Sequence, residues 1–588
     1  MAPVPTLLPR PRRYEAPPDG RRVRWRPPVE HVDATLAPQG YRLEVDDDAV
    51  RVVGADEAGL RHALATLAQL RHPANAAQDG DGDTIAACRI EDWPDFAVRG
   101  VMLDISRDRV PRMQSVVALV DRLAAWKVNQ LQLYMEHTFA YAGHEDVWRL
   151  ADPFTAEEIR SLDAHCRSRG VELVANQNTL GHFERWLRLE RYRPLAIAPD
   201  GFEWLFGMHR PALTLDPAKP EAFALVSDLL GQLVPHLTSR RVHVGLDEPW
   251  ELPAERRGEW VQWLRALRGL PAVAGHELLV WGDVPAAHHD LLTELPDGVT
   301  VCEWGYEADH PFDERSARLA DAGVPFWVCP GTSSWMSISG RVDNMIDNVR
   351  GAALAGAAHG ALGLLVTDWG DMGHHQQPPV SDPGFAAAAA FGWCAQSHAE
   401  LGPDDLAEML DVHCYDDPTH TTGRAVVALG QAYRMVAPQP WNMSTLALPI
   451  LLPQWKMGRA LTEGLTPGDL QTVAALVDDT TAALGRARPR RPDGDLVVSE
   501  IRAGAALLAL ACRDASLRLE GDGSLSSIPP APRESLAVEL VGYTEEYRRL
   551  WLERYRPGGL PDSTAWFDHL LGCYRTGTTE RSWFGPFG

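Results

Sequence analysis

Long apolar runs are missing from this chain: no segment reaches the roughly 18 to 20 uninterrupted apolar residues of a membrane span. Positive charge is short as well. Against 80 Asp and Glu stand only 56 Lys and Arg, a formal net charge of −24, which argues against nucleic acid or an anionic membrane as a partner. The eight cysteines, at 88, 166, 302, 329, 394, 414, 512 and 573, have no C-x-x-C spacing and suggest neither a zinc site nor a disulfide framework. The opening stretch MAPVPTLLPRPRRYE lacks the long apolar segment of a secretory signal. A soluble, cytoplasmic protein is the expectation. With 588 residues, 45% hydrophobic and 23% charged, the chain is large enough for two or three cores.

Residues 1–97 read as a small α+β unit. Two β-rich runs, YRLEVDD and AVRVVGA, lead into the amphipathic helix AGLRHALATLAQL. From Val98 strands and helices alternate, the pattern of a parallel α/β arrangement. Eight strand candidates follow in order: RGVMLDI, VNQLQLYM, VELVANQ, VHVGL, ELLVW, VTVCEW, PFWVC and ALGLLVT. Helical runs such as SVVALVDRLAAWK and TAEEIRSLDAHCRSRG lie between them, and GFAAAAAFGWCAQ supplies the eighth. Eight such units over residues 98–400 predict a (β/α)8 TIM barrel. The competing doubly wound sheet lacks its glycine-rich nucleotide loop after the first strand. Residues 401–588 carry mainly helical spacing, with RARPRRPDGD at 486–495 expected as a solvated loop between two helices.

The fourth strand candidate ends in Gly245-Leu246-Asp247-Glu248-Pro249-Trp250. That places two adjacent carboxylates where barrel enzymes carry their chemistry. Like charges side by side ionise unequally, so one can stay protonated at neutral pH. A proton donor beside a permanent carboxylate suits cleavage of an acetal; an exposed acidic turn is the alternative. Among twenty tryptophans, Trp281, Trp304, Trp335 and Trp369 stand at or near successive strand ends, as aromatic walls of a sugar-sized pocket would.

The order of these segments resembles glycoside hydrolase family 20, the β-N-acetylhexosaminidases, over about residues 40–395. IEDWPDFAVRGVMLDISRD is similar to the family's barrel entry, and VHVGLDE to its His-x-Gly-Gly-Asp-Glu signature with Leu246 at the second glycine. The resemblance implies a retaining exo-β-N-acetylhexosaminidase. The substrate's own 2-acetamido oxygen would attack C1, departing from the usual carboxylate nucleophile of retaining glycosidases. It implies Glu248 as general acid and base and Asp247 as the carboxylate that orients the acetamido N–H. Arg107 matches the arginine that grips sugar hydroxyls, and His182 the Gly-His that supports the acidic pair or the sugar. Trp281, Trp304 and Trp369 match the walls around the acetamido methyl and sugar face. Asp371 stands where a hydroxyl-binding glutamate is usual, and His243 is expected to prop the strand end.

Three departures concern the hydroxyl-binding rim. The second strand leads into YMEHTFAYAGHEDVW rather than an Asp-containing loop, which makes Glu136 and His137 candidate substrate contacts. The third ends in ANQNTLGH, without the usual acidic residue and proline. After the seventh, CPGTSSWMS lacks the expected tyrosine and aspartate, and Trp335 is the candidate to fill that space. The expected partner is an amino-sugar-containing glycan; no cofactor and no metal are expected, and a homodimer stays open. Two alternatives remain: a non-catalytic glycan-binding barrel, and a metal-dependent barrel hydrolase using Glu136, His137, His144, Glu145, His374 and His375.

Overall fold

The computed structural model describes residues 5–75, 83–204, 209–580 and 585. Near the N-terminus, five strands form one sheet in the spatial order Arg13–Glu15, Cys88–Asp92, Tyr41–Val45, Val50–Gly54 and Pro28–Val32. All pairs are antiparallel except the last. Tyr41–Val45 and Val50–Gly54 alternate buried and half-buried residues, as strands covered on one face do. Their inner residues pack with those of helix Glu57–Leu70 in one apolar cluster. Asp56 caps that helix by accepting the Gly59 N–H at 2.8 Å.

The barrel follows. Its strands are β1 (Val98–Asp104), β2 (Gln130–Met135), β3 (Glu172–Gln177), β4 (Arg241–His243), β5 (Glu277–Trp281), β6 (Val299–Trp304), β7 (Phe326–Cys329) and β8 (Gly363–Asp368). They close as a parallel ring in sequence order, β8 pairing with β1 from Gly363 against Val98 to Asp368 against Leu103. Every residue of β2 and β8 is buried, because helices cover the outside of a parallel barrel and side chains fill its inside. The covering helices are α1 (Met113–Ala125), α2 (Ala156–Ser168), α3 (Pro220–Leu233), α4 (Gly258–Arg268), the short α5 (Asp283–Ala287), α6 (Phe312–Asp321), α7 (Val342–His359) and α8 (Asp382–Trp393). Thr155 and Glu158 form a reciprocal capping box at the start of α2. All twelve residues of α8 are buried; its run of five alanines lets it lie close between the barrel wall and the helices beyond.

Those helices include Pro403–Met409, Thr422–Gly430, Pro467–Ala483, Gly494–Leu519, Pro530–Arg554 and Leu560–Thr576. One apolar cluster runs from the barrel through α8 into them without a break. The Arg/Pro stretch at 486–495 joins two helices as expected, its last two residues opening the second; Arg486, Arg488 and Arg490 are exposed, and Arg491 is the residue that docks. Arg491 is only 16% exposed and bonds Asp493, whose carboxylate also takes Arg554 at 2.7 Å. All eight cysteines are free and buried. Among the described residues no helix is long and apolar enough to cross a membrane.

Candidate active site

The carboxyl ends of the barrel strands bring the acidic pair to the centre of a polar, aromatic-walled site. Regular pairing of β4 stops at His243, short of the VHVGL expected, because the chain turns sharply there. Gly245, Leu246 and Glu248 all have positive φ, at 70°, 74° and 47°. Gly245 is required twice over: its φ favours glycine, and a Cβ there would lie 2.6 Å from the Asn178 side chain. His243 props the turn, its Nδ1 accepting the Gly245 N–H at 3.1 Å. Trp260 on α4 donates its indole N–H to the Leu246 carbonyl at 2.9 Å.

This turn gives two chain neighbours opposite surroundings. Asp247 is buried; Asn178 donates to its Oδ1 at 2.7 Å and His182 Nε2 lies 3.2 Å from Oδ2. Burial alone would raise its pKa, but the His182 cation and these hydrogen bonds outweigh that and hold it below the usual carboxylate range. His182 is bound to the same balance: burial pulls it down, and the Asp247 partnership lifts it to about 10. Glu248 has its Oε2 3.5 Å from the same imidazole nitrogen and keeps 28% of its side chain exposed. Burial pushes its carboxyl up to about 8; His182 opposes the rise, and Asp247, Asp283 and Asp371 reinforce it. One carboxyl is ionised and its neighbour protonated at neutral pH.

Arg107, after β1, is held by Glu136 at 3.1 Å and Asp104 at 3.4 Å. Its guanidinium lies over Tyr134 at 5.0 Å and Trp369 at 5.5 Å, and its Nη2 is 3.3 Å from His182 Nδ1. Glu136 therefore joins the site through Arg107. His137, its neighbour, is buried, pushed well below its ordinary pKa by that burial, and leaves Nδ1 without a partner.

Aromatic rings line the rest. Trp369 meets Tyr134 edge-on at 4.8 Å and Trp281 at 5.8 Å. Trp304 stacks on Tyr306 at 5.2 Å, and Tyr306 stands perpendicular to Trp335 at 5.0 Å. Trp369 donates its indole N–H to the Tyr306 hydroxyl at 2.8 Å. A phenol thus reaches this wall from beyond β6, while Trp335 covers the space beyond β7. Asp371 (φ 47°) is pushed up to about 6 by burial, against the pull of Arg107.

Several groups of the site carried little signal in the sequence. Asn178 is one of three amides in ANQNTLGH, yet it alone bonds Asp247. Asp283 follows Trp281 by two residues; it takes the Glu248 N–H at 3.0 Å and the Trp304 indole at 3.4 Å. Asn442 comes from the helical region, with its Oδ1 3.0 Å from Trp335 Nε1 and its Nδ2 3.4 Å from Asp371.

The candidate metal ligands do not converge. His374 bonds the Asp104 carbonyl, His375 the Ser563 carbonyl, and His144 lies between Tyr192 and Asp228. Glu145 accepts the Gly143 N–H. Among the described residues no group of three or more His, Cys, Asp or Glu could hold a metal ion.

Comparison with known proteins finds matches to one family. The family model described as "Glycosyl hydrolase family 20, domain 2" matches residues 7–93, and "Glycosyl hydrolase family 20, catalytic domain" matches residues 96–341. The second match ends before β8, so Trp369, Asp371 and Asn442 lie beyond it. A β-hexosaminidase of Vibrio furnissii is 26% identical over 256 residues, covering 37% of this chain and 39% of its own length. A β-N-acetylhexosaminidase of Cellulomonas fimi is 23% identical, covering 52% and 61%. The matches thus span less than two thirds of either relative. Among solved structures, the exo-β-N-acetylglucosaminidase of Vibrio harveyi in complex with N-acetylglucosamine superposes with a TM-score of 0.54 at 17% identity, over 70% of this chain and 78% of that one. The Streptomyces plicatus N-acetyl-β-hexosaminidase superposes at 0.51 and 20% identity, over 68% and 83%. With its N-terminal unit and most of its barrel matched to one family, the chain belongs to glycoside hydrolase family 20 and carries that family's catalytic domain.

Proposed function

We propose that this chain is a retaining exo-β-N-acetylhexosaminidase that removes a terminal β-linked GlcNAc or GalNAc with help from the substrate's acetamido group. The observation that carries the reading is the opposite protonation bias of two chain neighbours: His182 and Asn178 hold Asp247 ionised, while burial, reinforced by nearby carboxylates, raises Glu248 against the pull of the same imidazole. Glu248, protonated at neutral pH and with 28% of its side chain exposed, gives its proton to the departing glycosidic oxygen. The acetamido oxygen closes on C1 as that bond breaks, forming an oxazolinium ion. Asp247, anionic and fixed by Asn178 and His182, takes the acetamido N–H and stabilises the positive charge that develops there. Glu248, now a carboxylate, removes a proton from the water that opens the ring, and the sugar leaves with its anomeric configuration retained. Trp281, Trp304 and Trp369 offer the aromatic faces that sugars stack on, and Arg107 offers a fixed fork of donors to hydroxyls.

Hydrolysis of chromogenic β-GlcNAc and β-GalNAc by wild type and Glu248→Gln, with and without a thiazoline mimic of the oxazolinium ion, tests this. The substitution should lower kcat about a hundred- to ten-thousand-fold, the range for losing one general acid, and the mimic should block what wild type does. Turnover that survives Glu248→Gln would sink the assignment. Tight binding of the mimic by a wild type that turns over neither glycoside would mark a protein that binds glycans without cleaving them.

A further inference from the structure

The wall beyond β7 is not finished by the barrel. The segment from Val436 to Ser444, from the helical region, closes it. Two bonds seat it: the Asn442 N–H donates to Glu307 Oε1 at 2.7 Å and the Ser444 N–H donates to the Met336 carbonyl at 3.0 Å, while Arg341 holds Glu307 in place through two nitrogens at 2.9 and 3.0 Å. Arg341 is itself buried, so the anchor is rigid.

This seat presents the Asn442 side chain, in the left-handed conformation at φ 58°, between two pocket residues. An amide can be placed either way round in such a gap, but the chemistry of its neighbours decides. The Trp335 indole N–H only donates and faces Asn442 Oδ1 at 3.0 Å. The amide oxygen is therefore committed to Trp335, and the NH2 group must face Asp371, 3.4 Å from Oδ2. One residue fixes an aromatic wall and a carboxylate together. Its second N–H is not spent on Asp371, and the side chain is half-buried rather than sealed off.

We propose that Asn442, supplied by the helical region, is a positioning residue of the sugar pocket that aims the Asp371 carboxylate at the sugar's hydroxyl edge and so sets discrimination between hydroxyl epimers. The proposal rests on the glycosidase reading above. An aspartate reaches less far than a glutamate by one methylene, and a short carboxylate on a strained loop needs an external group to hold its direction. Asn442 is that group.

Two variants separate positioning from mere structure. Asn442→Asp keeps the volume and the acceptor for Trp335 but replaces the donor toward Asp371 with a like charge. Asn442→Ala removes both bonds and adds no charge. If the amide only props the fold, Asn442→Asp is the milder change in every assay. If it positions Asp371, Asn442→Asp retains the higher Tm of the two yet has the worse KM. Losing a hydrogen bond to a charged group predicts a rise in KM of about tenfold or more, with kcat much less affected, and a changed ratio of kcat/KM for β-GlcNAc over β-GalNAc glycosides. Affinity for the thiazoline mimic, measured by calorimetry, should fall in the same order. An active wild type with Asn442→Asp no worse than Asn442→Ala in KM and mimic affinity would overturn this inference alone. A wild type that neither hydrolyses the glycosides nor binds the mimic would overturn the glycosidase reading and this inference together.

Discussion

His182 pulls down the pKa of both carboxyls proposed to be catalytic, because its Nε2 is within 3.5 Å of each. It lowers the pKa of Asp247 and opposes the rise of Glu248. In the proposed mechanism the acid must be protonated and the acetamido partner ionised, so kcat/KM should follow a bell in pH. The alkaline limb falls as pH rises through about 8, where Glu248 loses its proton. The acid limb falls as Asp247 gains one, below the usual carboxylate range. Removing the imidazole takes a cation away from both groups, and a carboxyl that loses a cationic neighbour binds its proton more tightly. His182→Asn should therefore move both limbs to higher pH. A full pH profile of kcat/KM reads this directly, and limbs that stay put or move apart would contradict the shared control.

The turn after β4 is the element on which this geometry depends, and it is strained. A non-glycine residue in the left-handed region costs roughly 1–2 kcal/mol, and Leu246 sits there at φ 74° with its side chain fully buried. Leu246→Gly would relieve the backbone but empty a packed site, and deleting a buried leucine down to alanine already costs about 2.7–5 kcal/mol. Burial wins. The variant should be less stable by about 1–4 kcal/mol in urea unfolding, after subtracting the relieved strain; a more stable variant would show that the backbone term dominates. The strands around this turn are readable because apolar runs of the right length recur between amphipathic helices, so the barrel follows from pattern, which also puts the acidic pair at a strand end; the roles of that pair rest on the family resemblance. The turn itself is not readable. VHVGL looks like strand to its end, since a leucine gives no hint of positive φ. Asn178, Asp283 and Tyr306 stood within two or three residues of motifs already noticed, but nothing local distinguishes them from ordinary polar loop residues. Asn442 lies 195 residues beyond Asp247 and becomes a site residue only through tertiary packing.

Across the whole molecule, the N-terminal sheet and the barrel are joined by a small buried polar knot set against shared apolar packing. The sheet's own cluster takes in Trp393 and Cys394 from the end of α8. Lys127, just after α1, inserts there at 1% exposure. Its Nζ is 2.9 Å from the Tyr41 hydroxyl and 3.3 Å from Asp92, and it lies over the Trp393 ring at 4.2 Å. Asp92 also accepts from Tyr41 at 2.7 Å and from the Trp393 indole at 2.8 Å. Lys127→Ala would strand the Asp92 charge in a dry interface. Breaking a buried pair from one side costs about 3–5 kcal/mol, and the surviving hydrogen bonds to Asp92 favour the lower end. The loss falls on the N-terminal unit, because the barrel and the helices beyond it share one continuous core that Lys127 does not hold together. For a unit of that size each kcal/mol moves Tm by about 4–8 °C. Scanning calorimetry of wild type should give one main transition, and Lys127→Ala a new one at least 10 °C or so below it. The barrel transition, and the fluorescence of the tryptophans around Asp247, should stay where they were. A single transition displaced as a whole would mean that the two units unfold as one, with Lys127 serving the barrel as much as the sheet.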